Sequence, residues 1–295
     1  MLRPPVAPAR VALAPNSTKG MTRMILLKNT RKTAILITFL ALAVAGCSQT
    51  TGSKNYSAHG DVYYLDGAGG DGLLSNWGRG VRDGLKMANF NGKFIEFPWE
   101  TGMGVVADQI ASDNYKRQKA GEVARMIVNA RAAYPDAPIT LMGLSAGTAV
   151  AVFTLEALPA GCQVDNVVLL GASIGADYNL TKALRHVSGR MYVFTSDNDA
   201  ILNFAVPALG TADRQSGDVP AAGLNGFYLP PGATQETRRL YSKVTNITWR
   251  ASFERDGDWG GHTDTTYPKF VRDYIAPLIM QEGPQNMHPN WRAPR

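Results

Sequence analysis

The chain has 295 residues, 45% of them hydrophobic and 18% charged, with 30 Gly and 17 Pro. That is too apolar for a wholly disordered chain and long enough to bury a core of one large domain or two small ones. Two cysteines exclude a disulfide-dense scaffold and a cysteine-rich zinc module, and the formal charge of +6 invites a polyanion partner that the charge distribution then removes.

The basic excess sits at the start. Residues 1–46 carry seven basic side chains (Arg3, Arg10, Lys19, Arg23, Lys28, Arg31 and Lys32) and no Asp or Glu, which leaves 23 basic against 24 acidic residues in the rest. No later Lys/Arg cluster interleaved with aromatics restores a nucleic-acid footprint, so nucleic acid is dropped as a partner. From Met24 the chain reads as a positive segment around Lys28, Arg31 and Lys32, then an apolar run over residues 33–45. About 13 apolar residues fall short of the roughly 20 that span a bilayer, and the layout is that of a secretory signal. Met21 and Met24 are both plausible starts. Val44-Ala45-Gly46-Cys47 resembles the lipobox of bacterial lipoproteins. The resemblance implies cleavage before Cys47 and acylation of that residue by chains such as palmitate, so that membrane lipid is a partner. An uncleaved signal anchor or an ordinary buried cysteine is the alternative. Ser48 rather than Asp after the cysteine leans, by the same resemblance, toward a periplasm-facing outer-membrane location. Residues 47–58 are small and polar and read as a lipidated tether.

A single domain is expected over residues 59–283, with a tail at 284–295. Residues 61–65 are a strand candidate that ends in the run Asp66-Gly67-Ala68-Gly69-Gly70. A helix over 75–89 and a second strand over 94–97 follow. Residues 115–134 show helix-period apolars at Ala120, Val123, Ala124, Ile127 and Ala130, closed by Pro135 and Pro138. Residues 139–142 suit a buried central strand, and 146–158, apolar on nearly every side, a helix pressed against a sheet. Strands are expected at 167–170 and 191–195, with a short helix over 180–186 between them. Residues 207–236 read as an irregular excursion bordering a site. A last strand within 244–253 and a closing helix over 267–280, interrupted at Pro277, complete a layered α/β pattern.

The strongest chemical signal is Gly143-Leu144-Ser145-Ala146-Gly147, between an apolar strand and a helix. A nucleophile elbow needs that context: the glycines permit a tight turn and keep bulk away from an exposed hydroxyl. The alternative is an ordinary Gly/Ser turn. A serine hydroxyl needs a base and an acid that orients it. Of the four histidines, His59 borders the tether, His288 lies in the tail and His186 ends a short helix. His262, in Gly260-Gly261-His262-Thr263-Asp264 after the last strand, is placed to lean over Ser145. The acid is expected just beyond residues 191–195, at Asp199 or alternatively Asp197.

In this order Ser, Asp, His the chain resembles the α/β-hydrolase superfamily of serine esterases and lipases. Ser196-Asp197-Asn198-Asp199-Ala200-Ile201-Leu202 resembles the superfamily's acid loop with Asp199 as the acid. The resemblance implies an α/β-hydrolase fold, a mostly parallel central sheet with helices on both faces. It also implies an oxyanion donor at the Ala146 N–H and a second in the early loop, at Ala68 or Gly69. That loop departs from the His-Gly-rich loops of esterases, and it has neither dinucleotide-fingerprint nor Walker A spacing. Trp77 and Trp99 read as local packing, with a pocket role as the alternative. Asp256, Asp258 and Asp264 lack calcium-loop spacing and read as a solvated acidic loop. No zinc pattern occurs.

The resulting expectation is a membrane-anchored serine hydrolase acting on a small or acyl ester through an acyl-enzyme, needing no cofactor or metal, with no obligate protein partner inferable. The rivals are a noncatalytic envelope lipoprotein that uses the fold for binding, and a serine peptidase or thioesterase of the same fold.

Overall fold

The computed structural model describes residues 59–280 apart from 71, 73–75 and 215–218. The signal segment, Cys47, the tether and His288 lie outside the described residues. The chain divides into two units, 1–52 and 53–295, and the described residues all belong to the second. Among the described residues no helix is long and apolar enough to cross a membrane.

The elements run β1 (Asp61–Leu65), α1 (Gly78–Met87), β2 (Lys93–Glu96), α2 (Val105–Gln109), α3 (Asp113–Ala133), β3 (Ile139–Leu144), α4 (Gly147–Ala157), β4 (Val164–Leu170), α5 (Thr181–Leu184) and β5 (Val187–Thr195). A π-helical turn (Ile201–Ala205) then leads into α6 (Val206–Leu209), followed by α7 (Ala222–Asn225), α8 (Gln235–Tyr241) and β6 (Val244–Thr248). The supposedly irregular stretch after residue 206 thus contains two short helices. The closing segment holds α9 (Pro268–Phe270), a π turn (Val271–Ile275) and α10 (Ala276–Ile279). The irregularity expected at Pro277 falls instead on the turn before it. Pro277 sits in the first turn of α10, where a missing N–H costs no helical bond.

The six strands form one sheet in the order β2-β1-β3-β4-β5-β6, and every pairing is parallel. Strand alternation divides the core. Tyr63, Leu65, Leu141, Val167 and Val193 pack on one face, against α3 and α4. Val62, Tyr64, Met142, Val168 and Phe194 pack on the other, against α1 and the closing helices. Helix α4 is buried along nearly its whole length, which explains why its apolar residues show no polar stripe.

The chain leaves β1, pairs β2 on one side, then crosses to β3 on the other. Such a reversal opens a crevice at the carboxyl ends of the two central strands. The Gly-rich loop follows β1 and Ser145 follows β3.

Candidate active site

β1 and β3 lie side by side in parallel with Leu65 opposite Gly143, so the turns that follow them emerge together. Ser145 has φ +49, a left-handed conformation that side chains rarely adopt. It is held there by tight surroundings. A Cβ on Gly147 would stand 2.3 Å from the Asp66 carbonyl oxygen and 2.4 Å from that of Leu65. A Cβ on Gly143 would stand 2.9 Å from the Gly147 oxygen. Both glycines are therefore required by backbone that passes too close for any side chain. The Ser145 N–H donates to the Leu170 carbonyl on β4, which fixes the turn to the sheet. Helix α4 starts directly behind it, and the positive end of its dipole favours negative charge forming at the hydroxyl.

The structure brings three of the sequence-predicted side chains together. His262 Nε2 lies 2.7 Å from Ser145 Oγ. His262 Nδ1 lies 2.7 Å from Asp199 Oδ2. A carboxylate only accepts, so Nδ1–H donates to Asp199 and Nε2 of the neutral ring is left to accept the serine proton. Asp199 is 2% exposed, and its other oxygen accepts from the Leu202 N–H. Asp197 is exposed and makes no bond to His262; its carbonyl accepts from Asn203. His59 accepts from the Asn91 N–H, and His186 meets the Cys162 carbonyl, both away from Ser145.

The loop that carries His262 is braced from several sides. Asp264 accepts from the Trp259 and Gly261 N–H groups, and Ser196 donates to the Gly260 carbonyl. Gly171 has φ +48, and a Cβ there would stand 2.9 Å from the His262 carbonyl oxygen. Asp256 and Asp258, expected in a solvated loop, are 1% and 3% exposed. Asp256 pairs with Lys269 and accepts from Tyr274. Asp258 accepts from the Gly260 N–H, and burial, reinforced by Asp264, pushes its carboxyl up to about 7. Among the described residues no group of three or more His, Cys, Asp or Glu could hold a metal ion.

Across the crevice the Gly-rich loop is held by carboxylates. Asp66 accepts from the Gly67 and Gly78 N–H groups and from the Tyr64 hydroxyl. Burial pushes its carboxyl up to about 6. Asp108, on α2 and fully buried, accepts from the Gly69 N–H and from both the N–H and hydroxyl of Thr101. The Gly69 N–H is thus engaged and is withdrawn as an oxyanion donor. The Ala68 and Ala146 N–H groups make no hydrogen bond among the described residues. Gly67 abuts the Ser145 turn, since a Cβ there would stand 3.4 Å from Ser145 Cβ.

The two tryptophans divide. Trp99 is buried and donates to the Asp66 carbonyl, whereas Trp77 lines a cleft of about 290 Å³ that opens onto Ser145 and His262. The cleft walls come from α2 and from the Ile201–Leu209 stretch, and among the described residues no Lys, Arg, Asp or Glu lines it. Sequence reasoning missed Asp108, Gln109 and Lys116 of this neighbourhood. The one signal was Lys116 itself, a charge among the apolar positions of a predicted helix.

The family model described as alpha/beta hydrolase matches residues 97–211, from the end of β2 past Ser145 and Asp199. No curated protein matches the chain. Among solved structures, the chain is similar to a cutinase-like protein from Cryptococcus sp. at 15% identity. That match covers 76% of this chain and 98% of the other, with a TM-score of 0.39. It is also similar to a predicted CIB-like hydrolase from Thermoplasma acidophilum at 13% identity, over 79% and 89% of the two chains, with a TM-score of 0.43.

Proposed function

We propose that this chain, which has an α/β-hydrolase fold, is a serine hydrolase that cleaves carboxylic esters through an acyl-enzyme. The observation that carries this reading is the continuous relay from Asp199 through His262 to Ser145, with both contacts at 2.7 Å, at the floor of an uncharged cleft. His262 Nε2 takes the hydroxyl proton as Ser145 Oγ attacks the ester carbonyl carbon. The charge that develops on the carbonyl oxygen is met by the Ala146 N–H, by the Ala68 N–H and by the α4 dipole. The intermediate collapses as His262 returns the proton to the leaving alkoxide. Water then loses a proton to the same nitrogen and attacks the acyl carbonyl; the acyl–Oγ bond breaks, His262 returns the proton to Ser145 Oγ, and the carboxylic acid leaves. Asp199 holds the imidazole tautomer throughout. An uncharged cleft also favours an ester over a peptide terminus, which needs a fixed charge partner.

The test is hydrolysis of p-nitrophenyl butyrate by the purified chain, followed from the first turnover. A burst of nitrophenol of one equivalent or less, followed by a steady rate, is expected when the acyl-enzyme accumulates; Ser145→Ala should leave only the buffer rate. A rate retained in Ser145→Ala would remove Ser145 from the reaction.

We infer further that Cys47 is acylated after signal cleavage and anchors the chain in the cell envelope, facing the periplasm from the outer membrane. The lipobox-like Val44-Ala45-Gly46-Cys47 supports it. Several chains on one residue hold firmly, at about 0.8 kcal/mol per buried CH₂. Intact mass of the membrane-bound chain should carry the acyl increment on Cys47, and Cys47→Ser should lose it and move to the soluble fraction.

A further inference from the structure

Two segments far apart in sequence form the cleft walls. Val105 stands on α2; Ile201, Val206 and Leu209 stand on the π turn and α6. Polar side chains tie the two walls together, one of them, Gln109, lining the cleft itself. Gln109 Nε2 donates to the Gly210 carbonyl at 3.0 Å. Lys116 Nζ, fully buried, donates to the carbonyls of Gln109 at 2.8 Å and Ala212 at 2.7 Å. Arg214 donates to the Ile110 carbonyl. The distance between the walls is therefore set by a bridge of hydrogen bonds.

The lining is apolar but not buried. Val105 is 55% exposed, Ile201 46% and Leu209 38%. Met103, Val106, Ile110 and Phe204 on the same two stretches are exposed as well, so that among the described residues seven of the twelve exposed large hydrophobic side chains lie there. Exposed apolar side chains are thus concentrated on the two stretches that supply the cleft walls, as at binding sites. At about 290 Å³ the cleft is at the small end of small-ligand sites, roughly 300–1,000 Å³.

We propose that this slot is the subsite for an uncharged aliphatic chain of the ester, and that the Gln109–Lys116 bridge, by fixing the separation of α2 and α6, sets which chains fit. The proposal rests on Ser145 as nucleophile. The chain lies between Val105 and Leu209 with its carbonyl at Ser145. Each methylene it buries adds roughly three- to fourfold to kcat/KM until the slot is full. A charged group at the chain end finds no counter-ion there and is rejected.

The experiment uses the full chain and p-nitrophenyl esters from acetate to laurate, each below its aggregation limit, beside an ester ending in a carboxylate. The expected profile rises about threefold or more per methylene, then levels, with the carboxylate ester at least tenfold below its neutral counterpart. Leu209→Trp, which fills the slot from its rim, should lower the octanoate-to-acetate ratio of kcat/KM about tenfold. Gln109→Ala, which cuts one strand of the bridge and withdraws a lining side chain, should move the plateau to longer chains by two or more carbons. A profile flat with chain length, a preferred carboxylate ester, or ratios and plateau unmoved in both variants would overturn the slot. Fluorophosphonate labelling of Ser145 separates the two failures. Labelling with a flat profile removes the slot alone; absence of both labelling and ester hydrolysis removes the nucleophile reading and the slot with it.

Discussion

The Ser145 turn after β3 and the Gly-rich loop after β1 face each other across one crevice, and they are held in different ways. The turn is fixed by backbone: Ser145 at φ +49, glycines on either side with no room for a Cβ, and one N–H bound to the next strand. The loop is fixed by side chains brought from a distance. Asp66 draws in the Gly67 and Gly78 N–H groups, and Asp108, 39 residues from Gly69, holds the other end. The proposed reaction needs both partners fixed before charge develops. The contrast sets rigidity from a local steric motif beside rigidity from buried carboxylates, and at Asp66, whose carboxyl burial pushes up to about 6, the second kind responds to pH.

The contrast is open to breakage from both sides. The largest effects belong to the relay that joins them. His262→Ala should lower kcat by a factor on the order of 10⁴ or more, and Asp199→Asn by about 10⁴, with both variants folded by circular dichroism. On the steric side, Gly147→Ala should destabilise the fold by about 1–3 kcal/mol or more in denaturant titration, because the new methyl meets backbone that cannot move aside. Gly121→Ala on α3, where the nearest atom is 4.0 Å away, should instead gain about 0.5–1 kcal/mol. Equal effects at the two glycines would contradict the steric account.

On the side-chain half, Asp108→Asn keeps the shape but weakens acceptance from the Gly69 N–H. We expect kcat to fall about tenfold to a hundredfold with KM nearly unchanged, less than the 10²–10³ of deleting an oxyanion donor outright. A change confined to KM would assign Asp108 to substrate binding rather than to positioning. The same half also predicts a pH response. Asp66 titrates near 6 when folded against 3.8 as its ordinary value. The folded state thus holds the extra proton between these values, and stability is lost as pH rises from about 4 to about 6. The difference in unfolding free energy between wild type and Asp66→Asn should change across that window by about 1.4 kcal/mol per pH unit at most, and stay level above it. A constant difference from pH 4 to pH 8 would place the carboxyl in a solvated setting.

The same division governs how much the sequence disclosed. The elbow was legible because its constraints are local: Gly143, Ser145 and Gly147 lie within five residues, between a strand and a helix that the hydrophobic pattern marks. Asp199 and His262 were legible because each follows a strand, and parallel strands deliver their following loops to one edge. Ala146 comes with the elbow. The Gly-rich loop was legible in position but not in detail, since the bond that withdraws Gly69 comes from Asp108 on a five-residue helix with no sequence mark of its own. Lys116 and Gln109 act on the cleft through carbonyl oxygens, which carry no residue identity. Asp256 and Asp258 look solvated in a polar stretch, yet both are buried, Asp256 against Lys269 and Tyr274 of the closing segment. Those contacts span the fold, and pattern along the chain does not record them.

The central claim is that Ser145 is an activated nucleophile, and it is tested most directly by intact-mass analysis after treatment with a fluorophosphonate. Wild type should gain one phosphonyl adduct, mapped to Ser145, in minutes; Ser145→Ala should gain none, and His262→Ala should react far more slowly. A folded wild type that stays unmodified, or an adduct that persists in Ser145→Ala, would contradict the account.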